Sequence, residues 1–249
     1  MNLTLSRSGA AIALCAATLL TLSACSDDSK DSAESTTSAE ESTSGEATPA
    51  DLDVRVEDLM LPESDFPGTG TYVVKDKAAI DADKSNDPEV TPANCAAIVD
   101  KEDGTDEFDR ARVEFDMEDG TSIETQVILG ETSDLDTVAS QVEDCPAMTM
   151  RGPLDSGGQL VAEMENSVED VDGSTVPAKT IISTGTATVS GQTLPLTIRS
   201  TGAYVDGTTV SVQITLTGEN AANWSDSDQA ILVDLLNKQI AVVQDAAAA

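Results

Sequence analysis

The chain has 249 residues, of which 46 are acidic, 13 are basic and none is histidine, for a formal net charge of -33. A field of that sign repels nucleic-acid phosphate and anionic membrane surfaces, and a chain without histidine can use neither Ser-His-Asp nor Cys-His catalysis nor imidazole zinc ligands. Its aromatic residues are only Phe66, Tyr72, Phe108, Phe115, Tyr204 and Trp224, so the core must rest on Val, Ile, Leu and Met, and aromatic platforms for stacking sugars are scarce.

Taken from the N-terminus, one positive charge at Arg7 precedes an apolar run from about Ala10 to Leu22. This is the layout of a secretory signal, and the run is short for a membrane span. It ends in Leu22-Ser23-Ala24-Cys25, which resembles a lipobox, the pattern in which the cysteine thiol takes a diacylglycerol before the peptide is cut. We therefore read residues 1–24 as a lipoprotein signal peptide and Cys25 as the lipidated residue; an ordinary signal followed by a chance cysteine is the alternative. Cys15 falls within the removed peptide. Cleavage takes away Arg7 alone among the charged residues, leaving 12 basic against 46 acidic, a balance of -34. With such a charge the lipid must do the anchoring, which places the protein on the extracytoplasmic face of the cell membrane.

Residues 26–50 hold seven Ser, four Thr, seven acidic residues and Lys30, with only Ala, Gly45 and Pro49 besides. Such a segment buries too little apolar surface to fold and reads, with Cys25, as a disordered tether over 25–50. A flexible chain of this length spans roughly 28 Å. The remainder, 51–249, is of a size for a single domain.

In that domain, Asp81-x-Asp83-x-Ser85-x-Asp87 has the first alternating oxygen ligands of a calcium loop, but Asn86 stands where glycine belongs and Pro92 where the bidentate glutamate belongs. An acidic loop is the plainer reading, and no metal or other cofactor is expected. A helix is predicted with Thr91 as cap and Pro92 at its first position, aligning Cys95, Ile98 and Val99. A second carries Leu135, Val138, Ala139 and Val142, with Cys145 on the same face before Pro146 stops it. Two core-facing cysteines in an exported protein are most simply a structural disulfide, Cys95 to Cys145, worth roughly 4 kcal/mol in the chain-entropy model; nothing resembles the C-x-x-C spacing of a redox pair.

Between the cysteines, Ala111, Val113, Phe115 and Met117 alternate with Arg110, Arg112, Glu114, Asp116 and Glu118, and Ile123, Thr125, Val127 and Leu129 continue the inward set. Parity requires a three-residue loop, Glu118-Asp119-Gly120, to place Phe115 opposite Ile123. The same argument applied to Val205-Asp206-Gly207 aligns Ile198 with Ile214 and Leu196 with Leu216. A third turn at Val171-Asp172-Gly173 joins strands near Leu160 to Val168 and Val176 to Val189, and Ser190-Gly191 leads into a strand from Gln192. Trp224-Ser225-Asp226-Ser227-Asp228 then opens an amphipathic helix bearing Leu232, Leu235, Leu236, Ile240 and Val243. The fold class is thus α+β, an antiparallel sheet of hairpins and meander with helices packed on one face and one disulfide. The other face, with Glu114, Asp116, Glu124, Gln126, Ser211, Gln213 and Thr215, is polar enough to meet water and is where a binding site would lie.

Catalytic signatures are missing. There is no G-x-S-x-G elbow, S-x-x-K dyad or Walker loop, and Gly68-Thr69-Gly70 lacks the third glycine of a dinucleotide fingerprint. Among 46 carboxylates some close pair is inevitable, so an acid-chemistry hydrolase has no distinctive residues to name. We therefore expect no enzyme. Pro92-x-x-Cys95 opening a helix, Cys145-Pro146 closing the next, and the late Gly202-Ala-Tyr-Val-Asp-Gly hairpin before a final helix together resemble the extracellular sensor-like domains of actinobacterial PknH-type Ser/Thr kinases and their lipoprotein relatives, over about 51–243. That resemblance implies an antiparallel sheet flanked by helices, with a cleft for an unidentified ligand. The functional expectation is a lipid-anchored envelope lipoprotein whose monomeric, non-catalytic domain binds a small ligand or an envelope protein. The alternatives are a structural protein-interaction lipoprotein and a lipid carrier.

Overall fold

A computed structural model of the chain describes residue 52 and residues 54–83, 88–99, 108–130, 134–153 and 159–249. The signal peptide, Cys25 and the tether lie outside the described residues, as do Ser85 and Asp87 of the acidic loop.

Among the described residues, nine strands form one sheet: β1 (Gly70–Asp76), β2 (Glu89–Thr91), β3 (Arg110–Met117), β4 (Ser122–Ile128), β5 (Ala147–Pro153), β6 (Gln159–Asp170), β7 (Ala178–Val189), β8 (Gln192–Val205) and β9 (Thr208–Thr217). Their spatial order is β1-β3-β4-β9-β8-β7-β6-β5-β2, and every neighbouring pair is antiparallel. The helices are α1 (Lys77–Asp83), α2 (Ala96–Val99), α3 (Leu135–Glu143) and α4 (Asp226–Ala247). The Cys95–Cys145 disulfide is present. The antiparallel sheet with helices packed on it is therefore the architecture the residue patterns call for.

The first hairpin has the predicted register, Phe115 opposite Ile123, with Gly120 at φ +88° in the three-residue loop. The hairpin at Asp206 differs. Val205 pairs with Thr208, so the loop is two residues long, and Ile198 faces Thr215 rather than Ile214, with Leu196 opposite Thr217 rather than Leu216. Asp206 (φ +47°) and Gly207 (φ +79°) are both left-handed, the backbone of a type I′ turn, whose twist matches that of the strands. Parity misled here because nine of the ten residues of β9 are buried, so both faces of that strand are covered and alternation no longer marks an inside. Ser190 and Gly191 make a second two-residue turn of this kind. At the third turn the strands run to Asp170 and begin again at Ala178, so the link lies two residues further along the chain than the predicted strand ends place it.

Pro92 precedes rather than starts a helix. Thr91 ends β2, a 3-10 turn covers Ala93–Cys95, and α2 begins at Ala96. Proline before this turn fixes the extended backbone that lets Cys95 drop into the core. Helix α3 is capped by the Asp134 carboxylate, which accepts from the backbone N–H groups of Asp136 (3.0 Å) and Thr137 (2.8 Å). Helix α4 opens on a capping box between Ser225 and Asp228.

The helices divide between the two faces of the sheet, and this division creates the site. Helix α4 lays Leu232, Leu235, Leu236, Ile240 and Val243 on the face of Val113, Phe115, Ile123, Val127, Val212 and Ile214. Helices α2 and α3 pack on the other face at the other end, where Cys95, Ile98, Val138, Val142 and Cys145 meet Met148, Met150, Met164, Ile181 and Ile198. Each half of the sheet has a hydrophobic core on one side only.

Candidate functional site

Strand register builds the site on the face of β3, β4, β9 and β8 turned away from α4. Direct cross-strand partners share a face, so Glu114, Glu124, Gln213 and Ser200 form one row across four strands, and Arg112, Gln126, Ser211 and Gly202 form the next. Lys75 on β1 extends the second row opposite Arg112, and Lys179 on β7 closes it opposite Gly202. Thr209 and Tyr204 follow in a third row with Arg110.

The residues of the predicted polar face, Glu114, Asp116, Glu124, Gln126, Ser211, Gln213 and Thr215, do lie together on this face. They are not open to water as expected: Gln126 is 2 % exposed, Ser211, Gln213 and Thr215 are each 4 %, and Glu124 is 7 %. Arg110 and Arg112 are buried with them. A polar surface removed from water has to satisfy its own charges, and this one does so by a network. Arg112 Nη2 lies 3.2 Å from Glu114 Oε1 and its Nη1 3.8 Å from Glu124 Oε1, while Lys75 Nζ reaches Glu114 Oε1 at 2.7 Å. Arg110 pairs with Asp81 of α1, which also accepts from Lys77 Nζ at 2.9 Å. Burial opposes ionisation of Asp81, but the hydrogen bonds and charges of Lys77 and Arg110 outweigh it and hold the carboxyl below its usual range.

The acidic-loop residue Asp81 is therefore committed to two cations. The side chain of Asp83 lies outside the described residues with Ser85 and Asp87, and among the described residues no group of three or more His, Cys, Asp or Glu is placed to hold a metal ion. Glu114 and Glu124 face each other across β3 and β4, the pairing an acid hydrolase would need, but Arg112 bridges them.

Neutral groups in the same rows are less well served. Gln126 Oε1, Gln213 Oε1 and Ser200 Oγ have no hydrogen-bond partner among the described residues, and the amide nitrogen of Gln213 points to Thr215 Oγ1 at 3.3 Å, leaving its oxygen end bare. A cleft of about 570 Å³ opens between the start of α3 and the strand ends, lined among others by Asp134, Asp136, Asp170, Lys179 and Tyr204 and, among the described residues, by none of Gln126, Gln213 and Ser200. This is within the size range of small-ligand sites. Tyr204 belongs both to the cleft and to the polar face. Gly202, two residues on, leaves the wall between Tyr204 and Ser200 without a side chain. A second cleft of about 560 Å³ lies over the opposite face of β5, β6 and β7, but the Glu163 and Glu165 that line it are exposed.

Sequence reasoning found the acidic and amide half of the site through the alternation of β3 and β4. It missed Lys75, Lys179 and Ser200, and it read Gly202 and Tyr204 only as part of a hairpin motif. The small, polar run Ser200-Thr201-Gly202 within an otherwise good strand is a signal for Ser200 alone.

No helix among the described residues is long and apolar enough to cross a membrane. No family model matches the sequence, and no curated protein matches it. Among solved structures, the chain is similar to the extracellular domain of PknH from Mycobacterium tuberculosis, with a TM-score of 0.46 and 13 % sequence identity over 78 % of this chain and 98 % of that one.

Proposed function

We propose that this chain is a cell-envelope lipoprotein, anchored to the extracytoplasmic face of the membrane through a diacylglycerol on Cys25 and carried on the 26–50 tether, whose 51–249 region is a monomeric domain that binds a small polar ligand without chemical conversion. The observation that carries the binding half is a ligand-sized cleft at the edge of a polar face that is itself withdrawn from water and shares Tyr204 with it. The location half is supported by Leu22-Ser23-Ala24-Cys25 and by a disulfide, which persists in oxidising compartments. The arginine-bridged carboxylates favour binding over hydrolysis.

The test is native mass spectrometry of the full chain purified from its host envelope. A covalent diacylglycerol mass that disappears in Cys25→Ser, together with a stoichiometric non-covalent mass, supports both halves. An unlipidated chain overturns the anchor, and a lipidated chain that carries no extra mass when isolated without dilution overturns the bound ligand. A second reading, a protein-interaction lipoprotein, is favoured by the open edge of β1, where Val73 and Val74 are 41 and 42 % exposed. The charged side chains of Asp134, Asp136, Asp170 and Lys179 in the cleft argue against an acyl-chain carrier.

A further inference from the structure

The two edges of the sheet are finished differently. β2, the edge beside the disulfide core, is three residues long and runs straight into Pro92, which has no N–H to offer a neighbour. β1, the other edge, pairs with β3 through seven consecutive residues without a bulge, and among the described residues no strand lies on its outer side. It carries no proline, and Lys75, the side chain that would guard such an edge, is drawn back to Glu114 at 2.7 Å. Val73 and Val74 point to opposite faces of the sheet, across from Glu114 and Val113, and both are exposed, so the edge is uncovered above and below. It is also held in place. The Tyr72 hydroxyl donates to the Leu61 carbonyl at 2.7 Å, and its ring meets Phe66 edge-on. A fixed strand with a row of unpaired N–H and C=O groups is a template for another extended chain.

Charge decides which chain that is. A second copy would bring together two molecules of net charge -33. A two-fold axis through the sheet sets same-face residues opposite each other, and Lys75 and Asp76 point to opposite faces, so no such register places one directly against the other. Self-pairing adds repulsion with no ion pair across the seam. A basic chain meets the favourable field, and Asp76, exposed at the end of β1, is the carboxylate it lies against.

We propose that the outer edge of β1 takes up, by strand addition, an extended basic segment of a partner protein, with two adjacent apolar residues against Val73 and Val74 and a Lys or Arg opposite Asp76. This rests on the protein-interaction reading and is independent of the cleft.

The experiment is calorimetric titration of the full chain, held in a polyoxyethylene detergent at near-physiological salt, with the peptide acetyl-Thr-Lys-Thr-Val-Val-Thr-Lys-Thr-amide, whose palindromic order presents the same pattern in either strand direction. One control carries glutamate for both lysines. The other carries N-methyl groups on both valines, which removes the edge-facing valine N–H in either direction. The lysine peptide should bind at one site, about tenfold or more tighter than either control, and should slow amide hydrogen exchange across residues 71–76. Val74→Lys, and Val73→Lys on the opposite face, should each weaken it by about tenfold. As changes at exposed sites they should move the unliganded Tm by less than about 2 °C. Equal binding of the lysine and N-methylated peptides would mean that only the acidic surface attracts them, and would overturn strand addition. Binding untouched by both substitutions would place the peptide elsewhere and overturn it too, as would a Tm lowered beyond that margin by both, since the fold itself would then pack these valines. A dimer that Val74→Lys dissolves would make a second copy the occupant and overturn the basic segment. Silence from all three peptides would overturn this inference alone, because cross-linking of the chain in its host envelope reads separately whether it meets any protein at all.

Discussion

At the level of single residues, Asp134 shows how one carboxylate does several local jobs. It accepts from the Thr137 hydroxyl (2.7 Å) and from the backbone N–H groups of Thr137 and Asp136, and these bonds hold its pKa below the usual carboxylate range, against a smaller opposing effect of burial. A depressed folded-state pKa stabilises the fold above the unfolded value near 3.9, and that contribution is lost as pH falls through the folded value. Asp134→Ala should therefore cost about 1 kcal/mol at pH 7. The gap from the parent chain should narrow as the pH drops below about 4, which urea titrations at a series of pH values would read. A pH-independent difference would mean that the cap matters through its shape and not its charge. Asp134 carries no reading from the sequence, although an Asp directly before the apolar stripe of α3 is a capping signal; that its side chain also faces the cleft depends on where α3 sits on the sheet.

Among the elements, α4 is the one whose burial was legible in advance. Leu232, Leu235, Leu236, Ile240 and Val243 recur at helical spacing, and all five are buried against the sheet. Only Gln239, fully buried among them, breaks the pattern, and it does so by donating to the Leu59 carbonyl at 2.6 Å, tying the 3-10 turn at Val56–Leu59 to the helix. Leu236→Ala should cost 2–5 kcal/mol, at the upper end if the site cannot collapse. A loss below about 1 kcal/mol in chemical denaturation would contradict the tight packing. Helices α2 and α3, with Cys95 just before the first and Cys145 just after the second, form the second core, closed by a disulfide spanning 50 positions. The Cys95→Ala, Cys145→Ala double variant should lose about 4 kcal/mol. Its Tm should also become indifferent to reductant, whereas that of the parent chain falls. A parent chain unmoved by reductant under unfolding conditions would remove the disulfide from the stability of this core.

For the molecule as a whole, charge is the dominant property. Eleven basic residues in 51–249 are outnumbered by acidic ones, and much of the basic set is drawn into local pairs such as Lys75 with Glu114, Arg110 with Asp81, Lys238 with Asp234 and Arg199 with Glu169. The Arg199 guanidinium also lies over the Trp224 ring, 4.4 Å from its centroid. The excess negative charge repels itself and opposes compaction. Calorimetry should show the Tm rising as salt is increased from about 10 to 500 mM, where screening shortens from roughly 30 Å to below 8 Å. It should also rise as pH falls from 7 towards 5, nearer the pI of about 4.1, then drop once Asp81 and Asp134 take up protons. A Tm insensitive to salt would mean that the acidic residues are spaced too far apart to matter.

Local pattern alone determined the strands β3, β4 and β6 to β9 and the helices α3 and α4, the register of the β3–β4 hairpin, the pairing of the cysteines and the burial of α4, because each depends on periodicity or turn chemistry within a short stretch; β1, β2, β5 and α1 carried no such signal. It also determined the absence of imidazole chemistry and the signal-like N-terminus. The division of the helices between two faces, the one-residue difference at the Asp206-Gly207 turn and the enclosure of the polar face were decided by tertiary structure. A strand buried on both sides carries no alternation from which its inside could be read. Whether Gln126, Gln213 and Ser200 meet one another, and whether water reaches them, depends on strands brought together from residues almost ninety positions apart.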